Sequence, residues 1–370
     1  MRIGEWILTG AAVALIAGCG QAGEGGNAPA PIAVADTPQA RSVKAINEAG
    51  APSLAPPDAA ANDAEPANTA QPANTAQPAN AGPVPPDPAV IRAEVLLDRA
   101  HASPGVIDGL AGSNLARAVT AYEQMNGLPA DGQLTPTVWG RLTGGNPAPA
   151  AAVYTLTAQD IAGPFYPDVG DNMVAASQLS EVGYSRASEQ LAARFHMSEK
   201  LLIALNPGVD FKTAGAQVVV AQPMTPPLAA VDHIQVDKAA ASVRAYDASG
   251  ALIASLPATV GSTERPSPAG DHKVVGVSFN PTYTYDPSKL TWGPRSHGKF
   301  TIKPGPNNPV GLVWMALNAP GYGLHGSPSP DKIGKTASHG CVRMTNWDAV
   351  MLGAAVKPGV EVDFVNERGG

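Results

Sequence analysis

The stretch ASHGCVRM, residues 337–344, holds the residue types best suited to chemistry in this chain. Its Cys341 is one of only two cysteines, and His339 stands two positions before it. A second histidine, His325, lies upstream in YGLHGSPSP. A cysteine reacts as its thiolate, which a neighbouring imidazole favours. These residues therefore predict a cysteine nucleophile that is activated by histidine.

A helix is predicted to begin directly after this stretch. Thr345, followed three residues later by Asp348, indicates a capping box. Because Cys341 lies four residues before Thr345, the positive end of the helix dipole is expected to favour its thiolate. The apolar spacing predicts a buried stripe on this helix, made of Trp347, Val350, Met351 and Ala354.

Two other interpretations of the same residues remain open at this point. His325, His339 and Cys341 could bind a metal such as Zn²⁺, which accepts nitrogen and sulfur ligands. A structural zinc site needs a fourth ligand, however, and the chain has no C-x-x-C pair. Alternatively, Cys341 could be a buried cysteine beside incidental histidines.

The last third of the chain resembles the L,D-transpeptidase (YkuD) family. The resemblance is carried by HGS at 325–327, Ile333-Gly334 and SHGCVRM at 338–344, in that order. The upstream stretches GSTERPSPAGDHKV and NPTYTYDPSKL also resemble family segments, so the likeness covers about residues 231–366. It implies a mostly β catalytic domain that needs no cofactor and no metal.

By this resemblance, Cys341 is the nucleophile and His325 is the general base. Ser338, His339 and Gly340 would shape the oxyanion site, and Arg343 would position the donor peptide. The group that orients His325 stays open between a backbone carbonyl and Ser338.

The resemblance also implies a reaction. A tetrapeptide stem of peptidoglycan would be cut after the L-centre of its third, diamino-acid residue, with release of D-Ala and a thioester on Cys341. An amine from another stem or from a protein lysine would then accept the acyl group. Hydrolysis by water, as in a carboxypeptidase or an enzyme that releases wall-linked protein, is an alternative, and so is a non-catalytic wall-binding lipoprotein.

The first residues predict export. MRIGEWILTGAAVALIAGCG has a basic residue, then a short apolar run and then Cys19, as in a signal peptide. LIAGC resembles the lipobox of bacterial lipoproteins, which implies cleavage before Cys19 and a lipid anchor on it. Gly20, in place of Asp, implies the outer membrane facing the periplasm.

The rest of the chain divides into segments. Residues 89–144 show helical periodicity, and their two Asp-Gly turns and TPTVWGRL ending resemble the peptidoglycan-binding domain family, type 1. The stretch ASEQLAARFHMSEKLLIALNPGVDFKTAGAQVVVAQP resembles the second half of a LysM module. The predicted parts are a signal peptide (1–18), a disordered linker (19–88), a helical peptidoglycan-binding-like domain (89–145), a LysM-like segment (153–223) and the catalytic domain (231–366).

The charge of the chain limits the classes of partner that it is expected to bind. With 24 basic and 31 acidic residues, the chain carries a net charge of −7 and no basic run, which argues against nucleic-acid binding. The family resemblances imply peptidoglycan stems, an acceptor amine and cell-wall glycan as partners, and the lipobox resemblance implies a membrane reached through Cys19. The expected fold class is multidomain α+β, with a mostly β catalytic domain, a three-helix domain and a Pro/Ala-rich tether.

Overall fold

The computed structural model describes residues 37–54, 85–145, 147–261, 267–288, 297–336 and 341–366. The predicted signal peptide, Cys19 and most of the predicted linker lie outside these residues. Ser338, His339 and Gly340 also lie outside them.

The described residues confirm the predicted mixed α+β organisation. The helices are α1 (Pro38–Glu48), α2 (Pro88–Arg99), α3 (Ser113–Met125), α4 (Pro136–Gly144), α5 (Ala158–Ala162), α6 (Met173–Ser177), α7 (Ala187–Arg194), α8 (Glu199–Leu205) and α9 (Asn346–Ala355). The strands are β1 (Ala151–Thr155), β2 (Gln217–Ala221), β3 (His233–Asp237), β4 (Ser242–Tyr246), β5 (Leu252–Pro257), β6 (Gly270–Phe279), β7 (Tyr283–Tyr285), β8 (Phe300–Ile302), β9 (Val313–Leu317), β10 (Gly323–His325), β11 (Val342–Arg343) and β12 (Glu361–Val365). None of the helices in this part of the chain is long and apolar enough to cross a membrane.

Helices α2, α3 and α4 form the N-terminal helical domain. Its apolar residues, among them Leu97, Val119 and Leu142, make one buried cluster. The two Asp-Gly turns make the same kind of hydrogen bond, from the glycine N–H to a buried glutamate. The backbone N–H of Gly109 donates to Glu94 at 2.9 Å, and that of Gly132 donates to Glu123 at 2.8 Å. Both glycines have positive φ, which explains why glycine stands there.

The predicted disordered linker over 19–88 is wrong for residues 37–54. Thr37 caps α1, whose buried Ile46 joins the core of the following module. The Asn47 amide donates to the carbonyl of Ala151 at 3.0 Å and accepts from its N–H at 2.9 Å. The overall Pro/Ala-rich composition hid this short amphipathic helix, because its apolar positions are few and its stability comes from tertiary packing.

The middle module is built on the antiparallel pair β1–β2, with α7 and α8 packed against it. Residues 158–186, which include α5 and α6, are inserted between β1 and α7. The LysM-like interpretation of this module stays a prediction.

The catalytic-domain region holds an eight-stranded sheet in the order β11-β10-β9-β6-β12-β3-β4-β5. Strand pairs β10–β11 and β12–β3 are parallel, and the other neighbours are antiparallel. Alternating residues fill the core on one face, as Val313, Met315 and Leu317 do on β9. Helix α9 packs on that core through Ala349 and Leu352.

Thr345 caps α9 as predicted, but the predicted buried stripe is only partly right, since Val350 and Met351 are half-buried against the core. The buried residues of α9 are Asp348, Ala349, Leu352 and Gly353. Trp347 is half-buried and Ala354 is exposed. The apolar spacing could not show that Asp348, a charged residue, lies on the buried face of α9.

Candidate active site

The site lies where β10 and β11 pair in parallel. Leu324 is opposite Val342, and both side chains lie in the core. The next pair in register is His325 opposite Arg343, so these two side chains lie on the other face of the sheet. Cys341 immediately precedes β11 and stands two residues before Arg343, which puts it on that same face. The fold thus brings three of the predicted site residues onto one surface.

His325 is held as a neutral imidazole. Its ring is buried and stacks on the indole of Trp314, the residue opposite it on β9, at 5.4 Å between ring centroids. Burial, followed by the nearby Arg343 cation, lowers the pKa of His325 to about 3. The imidazole is therefore uncharged at neutral pH and can accept a proton.

The tautomer of His325 follows from its hydrogen bond. Nδ1 lies 2.7 Å from the carbonyl oxygen of Gly326. A carbonyl can only accept, so Nδ1 carries the proton and Nε2 keeps its lone pair. The backbone carbonyl of Gly326 is thus the orienting group among the described residues, one of the two alternatives left open by the sequence.

Cys341 is half-buried, and burial raises the pKa of its thiol above the ordinary value. A backbone hydrogen bond from Gly323 and the charge of Arg343 act in the opposite direction. The expectation that the helix dipole and imidazole hold a resting thiolate is therefore not met in the described residues. Burial outweighs the favourable charges, and Cys341 and His325 are both neutral at rest.

Arg343 supplies the positive charge of this surface. Its Nε is buried without a hydrogen-bond partner in the described part of the chain. Favourable electrostatic interactions join its guanidinium to Cys341, Tyr283 and Asp171, although burial lowers its pKa. An Arg side chain with unsatisfied hydrogen-bonding capacity suits a carboxylate.

A hairpin covers one side of the site. Strands β7 and β8 pair with Tyr283 opposite Ile302. Burial, followed by repulsion from Cys341, raises the pKa of Tyr283 to about 12, so the phenol stays protonated. Ile302 packs with Ala176 and Val182 of the middle module's insertion, and the same insertion carries Asp171. The middle module therefore supports the hairpin beside the thiol.

Close packing explains two glycines of the site. A Cβ at Gly323 would lie 2.7 Å from both the Trp314 ring and the carbonyl oxygen of Met315. A Cβ on Gly326 would collide with the amide oxygen of Asn346. That amide accepts from Leu312 N–H at 3.0 Å and donates to the carbonyl of Pro306 at 2.9 Å.

Sequence reasoning missed Trp314, Asn346 and Asp171. Trp314 could have been found, because it breaks the alternation of β9 with a large aromatic residue on the face opposite Val313 and Met315. Asp171 lies in another module, where the sequence offers no such signal.

The remaining predicted site residues stay predictions. Ser338, His339 and Gly340 lie outside the described residues, so the oxyanion site is not described. Among the described residues, no group of three or more His, Cys, Asp or Glu side chains is arranged to hold a metal ion.

A separate cleft of about 670 Å³ lies between α7 and the loop 327–332. Its lining includes His196 and Trp347 but neither His325 nor Cys341. We place the candidate active site on the β10–β11 face, because the predicted nucleophile, Cys341, and the predicted base, His325, lie there.

Two parts of the chain match families of known proteins. Residues 231–363 match the YkuD family, described as the L,D-transpeptidase catalytic domain, and residues 86–142 match a peptidoglycan binding domain family. The protein named "Probable L,D-transpeptidase YbiS" of Escherichia coli K12 is 27% identical over 230 residues, which are 59% of this chain and 73% of that protein. "Probable L,D-transpeptidase ErfK/SrfK" of Salmonella typhimurium is 28% identical over 186 residues, 48% of this chain and 59% of that protein.

Solved structures give a weaker likeness. An L,D-transpeptidase from Mycobacterium smegmatis is 19% identical, with 41% of this chain and 64% of that chain covered and a TM-score of 0.30.

Proposed function

Since residues 231–363 form an L,D-transpeptidase catalytic domain of the YkuD family, we propose that this protein is a peptidoglycan L,D-transpeptidase that works through a thioester on Cys341. The donor is a tetrapeptide stem, attacked at the carbonyl of its third, diamino-acid residue. The acceptor is an amine of another stem or of a protein lysine. The observation that supports this most is the neutral His325, oriented through Nδ1, on the same face as Cys341.

The first half of the reaction forms the thioester. As Sγ of Cys341 attacks the donor carbonyl, its proton moves to Nε2 of His325. The tetrahedral intermediate collapses when the C–N bond to the terminal D-Ala breaks, and His325 returns the proton to the leaving amine. Because His325 and Cys341 are both neutral at rest, charge separates only when substrate is bound.

The second half transfers the acyl group. The acceptor amine attacks the thioester carbonyl and loses a proton to Nε2 of His325, and the thiol leaves and is reprotonated. Two easier steps thus replace one direct amide exchange. Ser338, His339 and Gly340 are proposed to stabilise the oxyanion.

Arg343 is proposed to bind a carboxylate of the stem. Its Nε is buried and lacks a partner in the described residues, and it lies opposite the base. A carboxylate there would satisfy this donor and place the reacting carbonyl beside Cys341.

The peptidoglycan-binding domain of residues 86–142 is proposed to hold the enzyme on its polymer substrate. We further propose that the protein is exported to the periplasm and anchored to the outer membrane by lipid on Cys19. The sequence of residues 1–20 alone supports the anchor. Incorporation of labelled palmitate that disappears in Cys19→Ser would support it, whereas unchanged incorporation would refute it.

The proposed reaction can be tested by mass spectrometry of products. Purified disaccharide-tetrapeptide is incubated with the protein from residue 20 onward, which keeps every described residue, and with Cys341→Ala and His325→Ala. A dimer with the mass of two substrates less one D-Ala, absent with both variants, is expected. Tripeptide alone would indicate the hydrolase, and unchanged substrate would favour the wall-binding lipoprotein.

A further inference from the structure

A buried polar cluster lies where the three folded parts of the chain meet. Asp98 comes from α2 of the helical domain, His196 lies two residues after the end of α7 in the middle module, and Asp348 lies in the first turn of α9 in the catalytic domain. Asp98 and Asp348 are both 2% exposed, which is unusual for carboxylates. The proposed reaction uses none of these residues.

One side of the cluster joins the helical domain to the middle module. Nδ1 of His196 lies 3.1 Å from a carboxylate oxygen of Asp98, which also accepts from the Thr225 hydroxyl. The backbone supports this contact, because the N–H of Ile107 donates to the carbonyl of His196 at 2.8 Å. His196 also stacks on Trp347 of α9, with 4.9 Å between centroids and 9° between ring planes.

The other side joins the helical domain to the catalytic strands. One oxygen of Asp348 accepts from the hydroxyls of Ser103, at 3.0 Å, and Thr345, at 2.8 Å. Thr345 directly follows Met344, whose N–H donates to the carbonyl of His325 at 2.9 Å. Asp348 is therefore linked to the backbone of His325 through two hydrogen bonds and the peptide bond between Met344 and Thr345, and Cys341 lies only four residues before Thr345.

We propose that Asp348 is a positioning residue: the carboxyl group of Asp348 fixes the end of β11, and with it Cys341, only while the helical domain and the middle module are docked through Ser103, Asp98 and His196. Placement of the nucleophile thus depends on domains that lie outside the catalytic sheet. The inference rests on the proposed role of Cys341, but the coupling itself is a property of the fold.

The charges of the cluster make this coupling sensitive to pH. The titratable groups that face it are Asp98, Arg99, His101, His196 and Asp348. Burial, followed by repulsion from Asp98, raises the pKa of Asp348 to about 7. Asp98 and Asp348 raise the pKa of His196 above its ordinary value, although burial opposes them.

The sign of the effect is the same for both groups. At low pH, Asp348 is neutral and His196 is charged beside Asp98. As pH rises, Asp348 ionises beside Asp98 and His196 loses its charge. A group that binds its proton more tightly when folded loses stability as pH rises through the folded pKa. Because the fold raises the pKa of Asp348 from its ordinary value of about 4 to about 7, the junction is expected to loosen on going from about pH 4 to about pH 7.

The test measures the reactivity of Cys341 without any substrate. In the full chain carrying Cys19→Ser, Cys341 is the one remaining thiol. Its alkylation rate by iodoacetamide and the hydrogen exchange of residues 341–350 are recorded against pH. The variants are Asp348→Ala, which removes the acceptor, and Asp348→Asn, which keeps an acceptor without charge. Asp237→Asn is the matched control, a buried carboxylate of the same domain that accepts from the N–H groups of its own turn and pairs with Arg244, away from the cluster.

Asp348→Ala is expected to speed hydrogen exchange of residues 341–350 by about tenfold, because the buried hydrogen bonds from Ser103 and Thr345 are lost. Alkylation of Cys341 should become faster as its burial decreases. Asp348→Asn should keep slow exchange and show a smaller increase between about pH 4 and about pH 7, with the contribution of His196 remaining. A circular-dichroism melt confirms that each variant is folded, and Asp237→Asn should behave as the unmodified chain does.

Exchange and alkylation in Asp348→Ala equal to those of the control would overturn the proposal. So would an identical pH profile in Asp348→Asn and the unmodified chain. If the pH-dependent coupling is found but the protein makes no product from disaccharide-tetrapeptide, the positioning role stands and the proposed transpeptidase reaction fails. The two outcomes are therefore distinguishable.

Discussion

Arg343 lies directly opposite His325 across the parallel pair β10–β11, so a permanent positive charge stands beside the base. The same guanidinium acts on the nucleophile, because it lowers the pKa of Cys341 while burial raises it. Arg343 thus opposes protonation of His325 and favours ionisation of Cys341. Both effects prepare the pair for proton transfer from sulfur to nitrogen.

Removal of this charge should make Cys341 less reactive. In Arg343→Gln, the pKa of the thiol is expected to rise, and its alkylation at neutral pH to slow by about tenfold for each unit. Arg244→Gln is the matched control, since Arg244 is a largely buried arginine of the same sheet that pairs with Asp237 instead. Equal alkylation rates in the two variants would show that Arg343 does not act on the thiol.

The low pKa of His325 predicts the pH dependence of catalysis. A base with a pKa of about 3 stays competent far below the ordinary histidine value. We therefore expect kcat/KM to show no fall near pH 6.5 caused by protonation of the base. A measured acid limb centred near that value and absent from a His325 variant would contradict the burial-driven shift.

The same shift predicts the pH dependence of stability. Because the folded pKa of His325 is depressed, the unfolded chain binds a proton that the folded chain does not, between about pH 3 and about pH 6.5. Folding is therefore expected to weaken as pH falls through this window, and less so in His325→Gln. Urea unfolding at several pH values measures the difference, and parallel curves for the two proteins would speak against it.

Gly323 should tolerate no side chain. In Gly323→Ala the new Cβ would meet the Trp314 ring and the Met315 carbonyl, so β10 must shift. A loss of about 1–3 kcal/mol in the free energy of unfolding is expected, as for other overpacked sites. Gly276→Ala on β6 is the control, since nothing lies within 4 Å of its Cβ position. Similar unfolding curves for both variants would argue against this tight packing.

Helix α1 is predicted to be part of the folded protein. Ile46 is 1% exposed, and Ile46→Ala is expected to cost about 2–4 kcal/mol of unfolding free energy. Lys44→Ala, at an exposed position of the same helix, should change stability little. If both substitutions are neutral, residues 37–54 behave as the predicted linker after all.

The sequence predicted those features of the site that depend on residues near one another in the chain. The motif that holds His325, Cys341 and Arg343 predicted one candidate site, and the described residues place these three on one face of the sheet. The cap at Thr345 was equally readable, because it depends on residues three positions apart.

Features that depend on distant contacts could not be predicted. Whether Cys341 rests as a thiol depends on how deeply the fold buries it, which no spacing reveals. From the sequence, Asp348 is predicted only to take part in the cap of α9. Its hydrogen bond with Ser103 depends on contact between two domains, which the sequence does not show. Helix α1 is likewise stabilised by a distant contact, the hydrogen bond between Asn47 and Ala151, which lie 104 positions apart.

The central claim is that Cys341 forms a thioester with the donor stem through His325. It is tested most directly by intact-protein mass spectrometry of the Cys19→Ser chain mixed with disaccharide-tetrapeptide and quenched in acid. The account predicts an adduct with the mass of the donor less D-Ala, located on Cys341 after digestion and strongly reduced in His325→Ala. An adduct on another residue, or turnover that persists in Cys341→Ala, would contradict it.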